Sequence, residues 1–316
     1  MLWLCHDARM PKTLPLILAA FGWACAPRPA ESAPSVPPLV SPGVAAADQV
    51  ATEHAKALAP APRERADWRK YFEAEGVSGS IALFDTADNV VTCSDVARCT
   101  KPALPASTFK IANSMIALET AVVDDAETML PWDGTSSPIE DWNQDLTLRA
   151  AVRVSCVPCF QAIARKVGAE RMKEWVTRLD YGNHDTSGEV DRFWLSGKLR
   201  ISPLEQIEFL RRFDAGKLPI SARTAEIVED LITLDVGQNH VLRGKTGLAG
   251  SPQALLTAWF VGWLELGERR VFFATLIDEA SPGVNVLPVR RRVTESVLRA
   301  LNLLPVDAAR PPKESR

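Results

Sequence analysis

The sequence is short of the residues that would make it a metal or nucleic-acid protein. Its four histidines (His6, His54, His184 and His240) are widely separated, so they form no zinc-ligand cluster. No long run of one charge sign occurs, and the formal net charge is only -3, which excludes a basic nucleic-acid stripe and an acidic tail. The most apolar stretch near the N-terminus, Leu14 to Ala24, is too short for a comfortable membrane span. Cysteine is also sparse. Six are present, and Cys5 and Cys25 fall in the N-terminal segment, leaving Cys93, Cys99, Cys156 and Cys159. What is there is the composition of a soluble globular protein, 47% hydrophobic and 24% charged, long enough to bury a sizeable core.

The N-terminus reads as an export signal covering residues 1–25. Arg9 and Lys12 supply positive charge ahead of the apolar run, and small residues end it. Cys25 stands where a bacterial lipoprotein would be cleaved and lipidated; plain cleavage nearby is the other reading. Residues 26–65 are rich in Ala and Pro and bury too little apolar surface to offset ordering, so a disordered tether is expected there. A folded domain is expected over residues 66–306, followed by a disordered tail over 307–316. An exported chain meets an oxidising compartment, periplasmic or extracellular, where cysteines pair. The four domain cysteines allow three pairings, of which Cys93–Cys99 with Cys156–Cys159 needs the least rearrangement.

Gly79 to Asp85 and Val90 to Thr92 read as strands around a turn. A helix is expected from Ser107 to about Val122, apolar nearly all round and therefore buried. The middle, from about 124 to 235, reads as helices and loops. It includes a helix with Ser155 as its N-cap and Pro158 in the first turn, and another over Pro203 to Phe213. Val241 to Gly247, Leu255 to Leu266 and Arg270 to Asp278 read as strands, the last two a hairpin, and a helix over about Pro288 to Leu303 closes the chain. Strands at both ends with helices between imply an α+β fold, in which one sheet is built from both termini and a helical subdomain is inserted.

Four segments carry candidate chemistry. In Ser107-Thr108-Phe109-Lys110, positions i and i+3 share a helix face, so hydroxyl and amine can meet. A serine needs an adjacent base, and a lysine serves as one only when neutral; the apolar helix and its positive N-terminal field both favour the neutral amine. Lys245-Thr246-Gly247 places a cation and a hydroxyl on a strand, with a glycine that lets a ligand approach the backbone. Ser155-Cys156-Val157 puts a proton-relaying hydroxyl beside an apolar group at a helix start. Trp194, in Phe193-Trp194-Leu195-Ser196-Gly197, offers an indole N–H that can only donate. Each is common alone, and each has a plain structural reading: N-cap, exposed lysine or core tryptophan.

Together, in this order, they resemble the class D serine β-lactamases, the oxacillinases. The resemblance rests on Leu104 to Lys110, Ser155 to Val157, Tyr181-Gly182-Asn183, Phe193 to Gly197, Lys198 to Ser202 and Lys245 to Gly247. It extends to Trp259 to Trp263 and Leu287 to Arg290, and covers about residues 76 to 304. It implies a β-lactamase/DD-peptidase-like fold, an antiparallel sheet flanked by helices, and hydrolysis of β-lactams through a Ser107 acyl-enzyme. By the same resemblance, carbon dioxide would carboxylate the Lys110 amine, and the carbamate would be the general base, with no other cofactor and no metal. Val157 would keep its pocket apolar, Trp194 would donate to it, and Ser155 would relay a proton. Lys245, Thr246 and Arg290 would bind the substrate carboxylate, and the backbone N–H groups of Ser107 and Leu248, beside Gly247, would form the oxyanion hole. The expected partner is a small β-lactam, with no nucleic acid and no membrane beyond a lipid on Cys25.

The Cys156-Val157-Pro158-Cys159 segment departs from the family pattern. It looks like a redox motif without the matching strand–helix context; a structural bridge or two packed thiols are the other readings. Two other functions compete. A β-lactam sensor domain would acylate at Ser107 and stop, but such sensors follow several membrane spans. A cell-wall DD-peptidase would need neither Val157 nor Trp194.

Overall fold

The computed structural model describes residues 61–251 and 254–304. The export signal, Cys25, most of the tether and the 307–316 tail lie outside these residues. No helix among them is long and apolar enough to cross a membrane. In chain order the strands are β1 (Arg63–Glu64), β2 (Val77–Asp85), β3 (Val90–Cys93), β4 (Met129–Leu130), β5 (Leu146–Thr147), β6 (Thr233–Val236), β7 (Val241–Ser251), β8 (Ala254–Leu266) and β9 (Arg269–Ala280). The helices are α1 (Arg69–Glu73), α2 (Val96–Cys99), α3 (Lys110–Glu119), α4 (Leu148–Arg153), α5 (Val157–Val167), α6 (Ala169–Arg178), α7 (Pro203–Asp214), α8 (Ala222–Leu231) and α9 (Val286–Ala300).

One sheet runs β1-β3-β2-β9-β8-β7-β6, antiparallel except for the β1–β3 pair. Strand alternation sends successive side chains to opposite faces, and both faces are covered. Trp259, Val261 and Trp263 of β8 face the helical subdomain with Phe272, Ala274 and Leu276 of β9. The intervening Phe260, Leu264, Val271, Phe273 and Ile277 pack with Trp68 and Phe72, and with Val289, Val293 and Val297 of α9. α3 is buried over nearly its whole length among helices of the insert, as its all-round apolarity requires.

The expected architecture and the hairpin are present, with local corrections. The Ser107 segment opens as a 3-10 turn over Ala106–Phe109 before α3 begins at Lys110, and α3 ends at Glu119 because Ala121 takes a left-handed φ of 52°. The middle region holds a small two-stranded sheet, β4 with β5, and the edge strand β6. Arg63 and Glu64, assigned to the tether, pair in parallel with Thr92 and Cys93, because β3 offers an otherwise open edge. The closing helix starts at Val286, where the Asn285 side chain accepts from the Leu287 N–H. Cys156 and Cys159 form a disulfide, whereas Cys93 and Cys99 are free buried thiols, the Cys99 Sγ donating to the Ile81 carbonyl at 3.6 Å.

Gly262 on β8 pairs with Gly244 on β7, and a Cβ at Gly262 would lie 2.0 Å from the Arg243 carbonyl oxygen. Two facing glycines thus let β7, which carries Lys245, seat closely on β8. Gly262→Ala is expected to lower the unfolding free energy by roughly 1–3 kcal/mol, as overpacking does. The measurement is urea denaturation; a midpoint equal to the parent's would contradict the close seating.

Candidate active site

The turn that carries Ser107 is tied down from several sides. Ala106 holds a left-handed φ of 50°, strain of about 1–3 kcal/mol for a residue with a Cβ, fixed by its N–H donating to the Trp194 carbonyl at 3.0 Å. Ala103 and Ile201 exchange two backbone hydrogen bonds. The Trp259 indole donates to the Leu104 carbonyl at 2.7 Å. Within the turn the Thr108 hydroxyl donates to the Pro105 carbonyl at 2.7 Å and accepts from the Gln206 amide at 3.0 Å. Gln206 also reaches the buried Tyr181 hydroxyl at 3.4 Å. On the other flank, a Cβ at Gly247 would lie 2.9 Å from the Pro105 oxygen and 3.2 Å from the Thr108 nitrogen, so only glycine lets β7 come this close.

The structure brings Ser107 and Lys110 together. Lys110 Nζ lies 2.9 Å from Ser107 Oγ, and Lys110 is 1% exposed. Its ammonium form is opposed first by burial and then by the charge of Lys245, which together hold its pKa well below the usual lysine range. The Phe160 ring lies 5.1 Å from the amine. Lys245 Nζ donates to Ser155 Oγ at 3.0 Å and to the Thr246 carbonyl at 3.1 Å. Burial, with Arg290 nearby, lowers the Lys245 pKa to about 7. Arg290 donates through Nη1 to the Gly247 carbonyl at 2.6 Å, and burial brings it down to about 10.

Thr246 is half-buried beside Lys245, and Leu248, the next residue after Gly247, is 39% exposed. Val157 lies in the first turn of α5. Trp194 is fully buried, its ring 5.4 Å from that of Phe109, and its Nε1 has no partner among the described residues. Three basic side chains, Lys110, Lys245 and Arg290, are thus buried around the Ser107 turn, and no carboxylate is among the groups that shift them. Such a site is built for an anion.

Ser155 does not cap α5. It sits at φ 55°, and Cys156 takes the N-cap place with its Sγ accepting from the Cys159 N–H. The left-handed backbone turns the Ser155 hydroxyl away from the helix end and toward Lys245. Sequence reasoning passed over Gln206, Thr108 as an anchor, and Phe160. Gln206 had a readable signal: it falls on the buried face of α7 with Pro203, Leu210 and Phe213, where a polar residue needs a partner.

A lysine held neutral in the fold but charged when unfolded makes the unfolded chain bind more protons between the two pKa values. Stability therefore rises with pH from about 7 toward the ordinary lysine value of about 10.4. Lys245→Met should flatten that rise, measured by denaturation across the window in bicarbonate-free buffer; an unchanged slope would contradict the buried neutral amine.

Residues 58–299 match the family described as the penicillin binding protein transpeptidase domain. The chain is 37% identical over 250 residues to β-lactamase OXA-10 of Pseudomonas aeruginosa, covering 78% of this chain and 93% of that one. It is 36% identical over 249 residues to β-lactamase OXA-48 of Klebsiella pneumoniae, covering 79% and 93%. Among solved structures, it is similar to the class D β-lactamase YbXI from Nostoc, with a TM-score of 0.72 and 41% identity over 75% of this chain and 99% of that one. The class D enzyme FUS-1 (OXA-85) from Fusobacterium nucleatum subsp. polymorphum gives a TM-score of 0.72 at 32% identity, covering 77% and 100%. With its fold and the ordered residues around Ser107, the chain belongs to the class D β-lactamases of the penicillin-binding transpeptidase family.

Proposed function

We propose that the protein hydrolyses β-lactam antibiotics, penicillins first among them, through an acyl-enzyme on Ser107. The observation that carries this reading is the 2.9 Å approach of a fully buried Lys110 amine to the Ser107 hydroxyl. A neutral amine at that distance takes the serine proton as the oxygen attacks the ring carbonyl. The backbone N–H groups of Ser107 and Leu248 receive the developing oxyanion. Lys245, Thr246 and Arg290 hold the substrate carboxylate, whose charge restores the Lys245 ammonium. Ser155, tethered to Lys245, passes a proton to the departing ring nitrogen.

The site also suits a carboxylated Lys110, the modification implied by the family. The indole N–H of Trp194, without a partner among the described residues, is a donor open to an acceptor, and a neutral lysine is the form that reacts with carbon dioxide. When bound, the carboxyl group supplies an anionic base and offsets the charge of Lys245 and Arg290. Trp194 would hold it by donation, with Val157 and Phe160 limiting water around it.

Penicillin turnover followed by absorbance should rise with added bicarbonate. Trp194→Phe should lower turnover about 10–100-fold, the loss of one hydrogen bond to a charged group, and steepen the bicarbonate dependence. No turnover in either condition, with a stable adduct on Ser107, would replace hydrolysis with sensing.

A further inference from the structure

The Cys156–Cys159 bridge has no part in the chemistry above, yet it lies at the centre of the elements that shape it. Both cysteines belong to the start of α5, where Ser155 immediately precedes Cys156 and Phe160 immediately follows Cys159. Ser155 accepts from Lys245, and Phe160 lies against the Lys110 amine. One bridge therefore closes the turn that presents both groups. The two sulfurs are not equivalent. Cys156 is fully buried, whereas Cys159 is half-buried and lines a cavity of about 100 Å³ with Trp132, Asp133, Trp142, Pro158, Arg165 and Lys166. Arg165 is paired with Asp191, while Lys166 is exposed and has no ion pair among the described residues.

We infer that Cys156–Cys159 is an exchangeable disulfide, opened by small anionic thiols that enter this cavity and attack Cys159, and that its state sets the rate of the site. The inference that the rate responds rests on the hydrolase reading; the exchange itself does not. The lining cations Arg165 and Lys166 outnumber the one lining carboxylate, Asp133, and the apolar walls admit the carbon skeleton. The incoming thiolate forms a bond to Cys159 Sγ as the S–S bond breaks, and Cys156 leaves as a thiolate. At the helix N-cap that thiolate is stabilised by the Cys159 N–H, which already points at the sulfur at 3.1 Å. A second thiolate then attacks the mixed disulfide, releasing the oxidised small-molecule disulfide and leaving Cys159 as the second thiolate of the pair. Two electrons pass from the two thiols to the bridge. Without the bridge, Ser155 loses its covalently closed neighbour and its left-handed backbone is free to relax, so it becomes a looser partner for Lys245.

The test uses the full chain incubated in glutathione buffers from fully oxidised to fully reduced, without denaturant, followed by acid quench, alkylation and peptide mass analysis. The expected result is a glutathione adduct on Cys159 at intermediate poise and a free pair in reduced buffer. Penicillin kcat should fall about fivefold, the scale of one loosened hydrogen bond, and recover on reoxidation. The alkaline limb of the KM profile, set by Lys245, should shift with it; a purely structural bridge would leave that limb in place. Cys159→Ser should show no adduct at either position. A bridge that opens only in denaturant overturns the inference, as does one that opens with kcat and the pH limb unchanged. Absence of turnover in every buffer would instead count against the hydrolase reading, and the adduct on Cys159 would still decide the exchange.

Discussion

The site depends on an electrostatic imbalance: Lys110, Lys245 and Arg290 are buried together with no carboxylate among the described residues to pair them. Burying unpaired cations is unfavourable, and proteins answer by neutralising the group or by inviting an anion. Here both answers serve one reaction. In the proposed reaction a neutral Lys110 would be the base for Ser107, and the remaining positive charge would select a carboxylate-bearing substrate. Much of the surrounding fold exists to keep these three groups in place and dry.

The arrangement of the sheet follows from that need. Lys245 and Gly247 lie on β7, which is paired along its length with β8, and Gly247 meets the Ser107 turn where no side chain would fit. Arg290 comes from α9 on the opposite face. The Thr294 hydroxyl donates to the Arg290 carbonyl at 2.9 Å, and Thr275 of β9 lies 2.6 Å from the same hydroxyl, so the helix that carries Arg290 is keyed to the sheet. The inserted helices supply Ser155, Phe160 and Trp194. Groups from distant parts of the chain thus converge on one turn, and the left-handed Ala106 at its start is strain that the packing of Trp194 sustains.

Much of this was legible in the amino-acid order. The i, i+3 spacing of Ser107 and Lys110 survives the change from helix to 3-10 turn, because both conformations bring those positions to one side. The apolar runs near the C-terminus gave the hairpin, since strand alternation is a strong local pattern. What could not be read is set by non-local geometry. Ser155 looked like an N-cap because serine usually caps; the adjacent disulfide instead makes Cys156 the cap and turns Ser155 toward Lys245. The left-handed φ at Ala106 carries no signature in residue type, and the pairing of Arg63 and Glu64 with β3 depends on an open edge rather than on their own sequence. The choice between a Cys93–Cys99 bridge and two free thiols was equally out of reach of spacing alone.

The acyl-enzyme chemistry proposed for Ser107 requires Lys110 to be an uncharged amine beside it. The most direct measurement is carbon NMR of the protein equilibrated with ¹³C-labelled bicarbonate, because only a neutral amine takes up carbon dioxide. A neutral Lys110 gives a protein-bound carbamate resonance that fades as the pH falls and is missing from Lys110→Ala. A parent protein without that resonance, or a resonance that persists in Lys110→Ala, would contradict it.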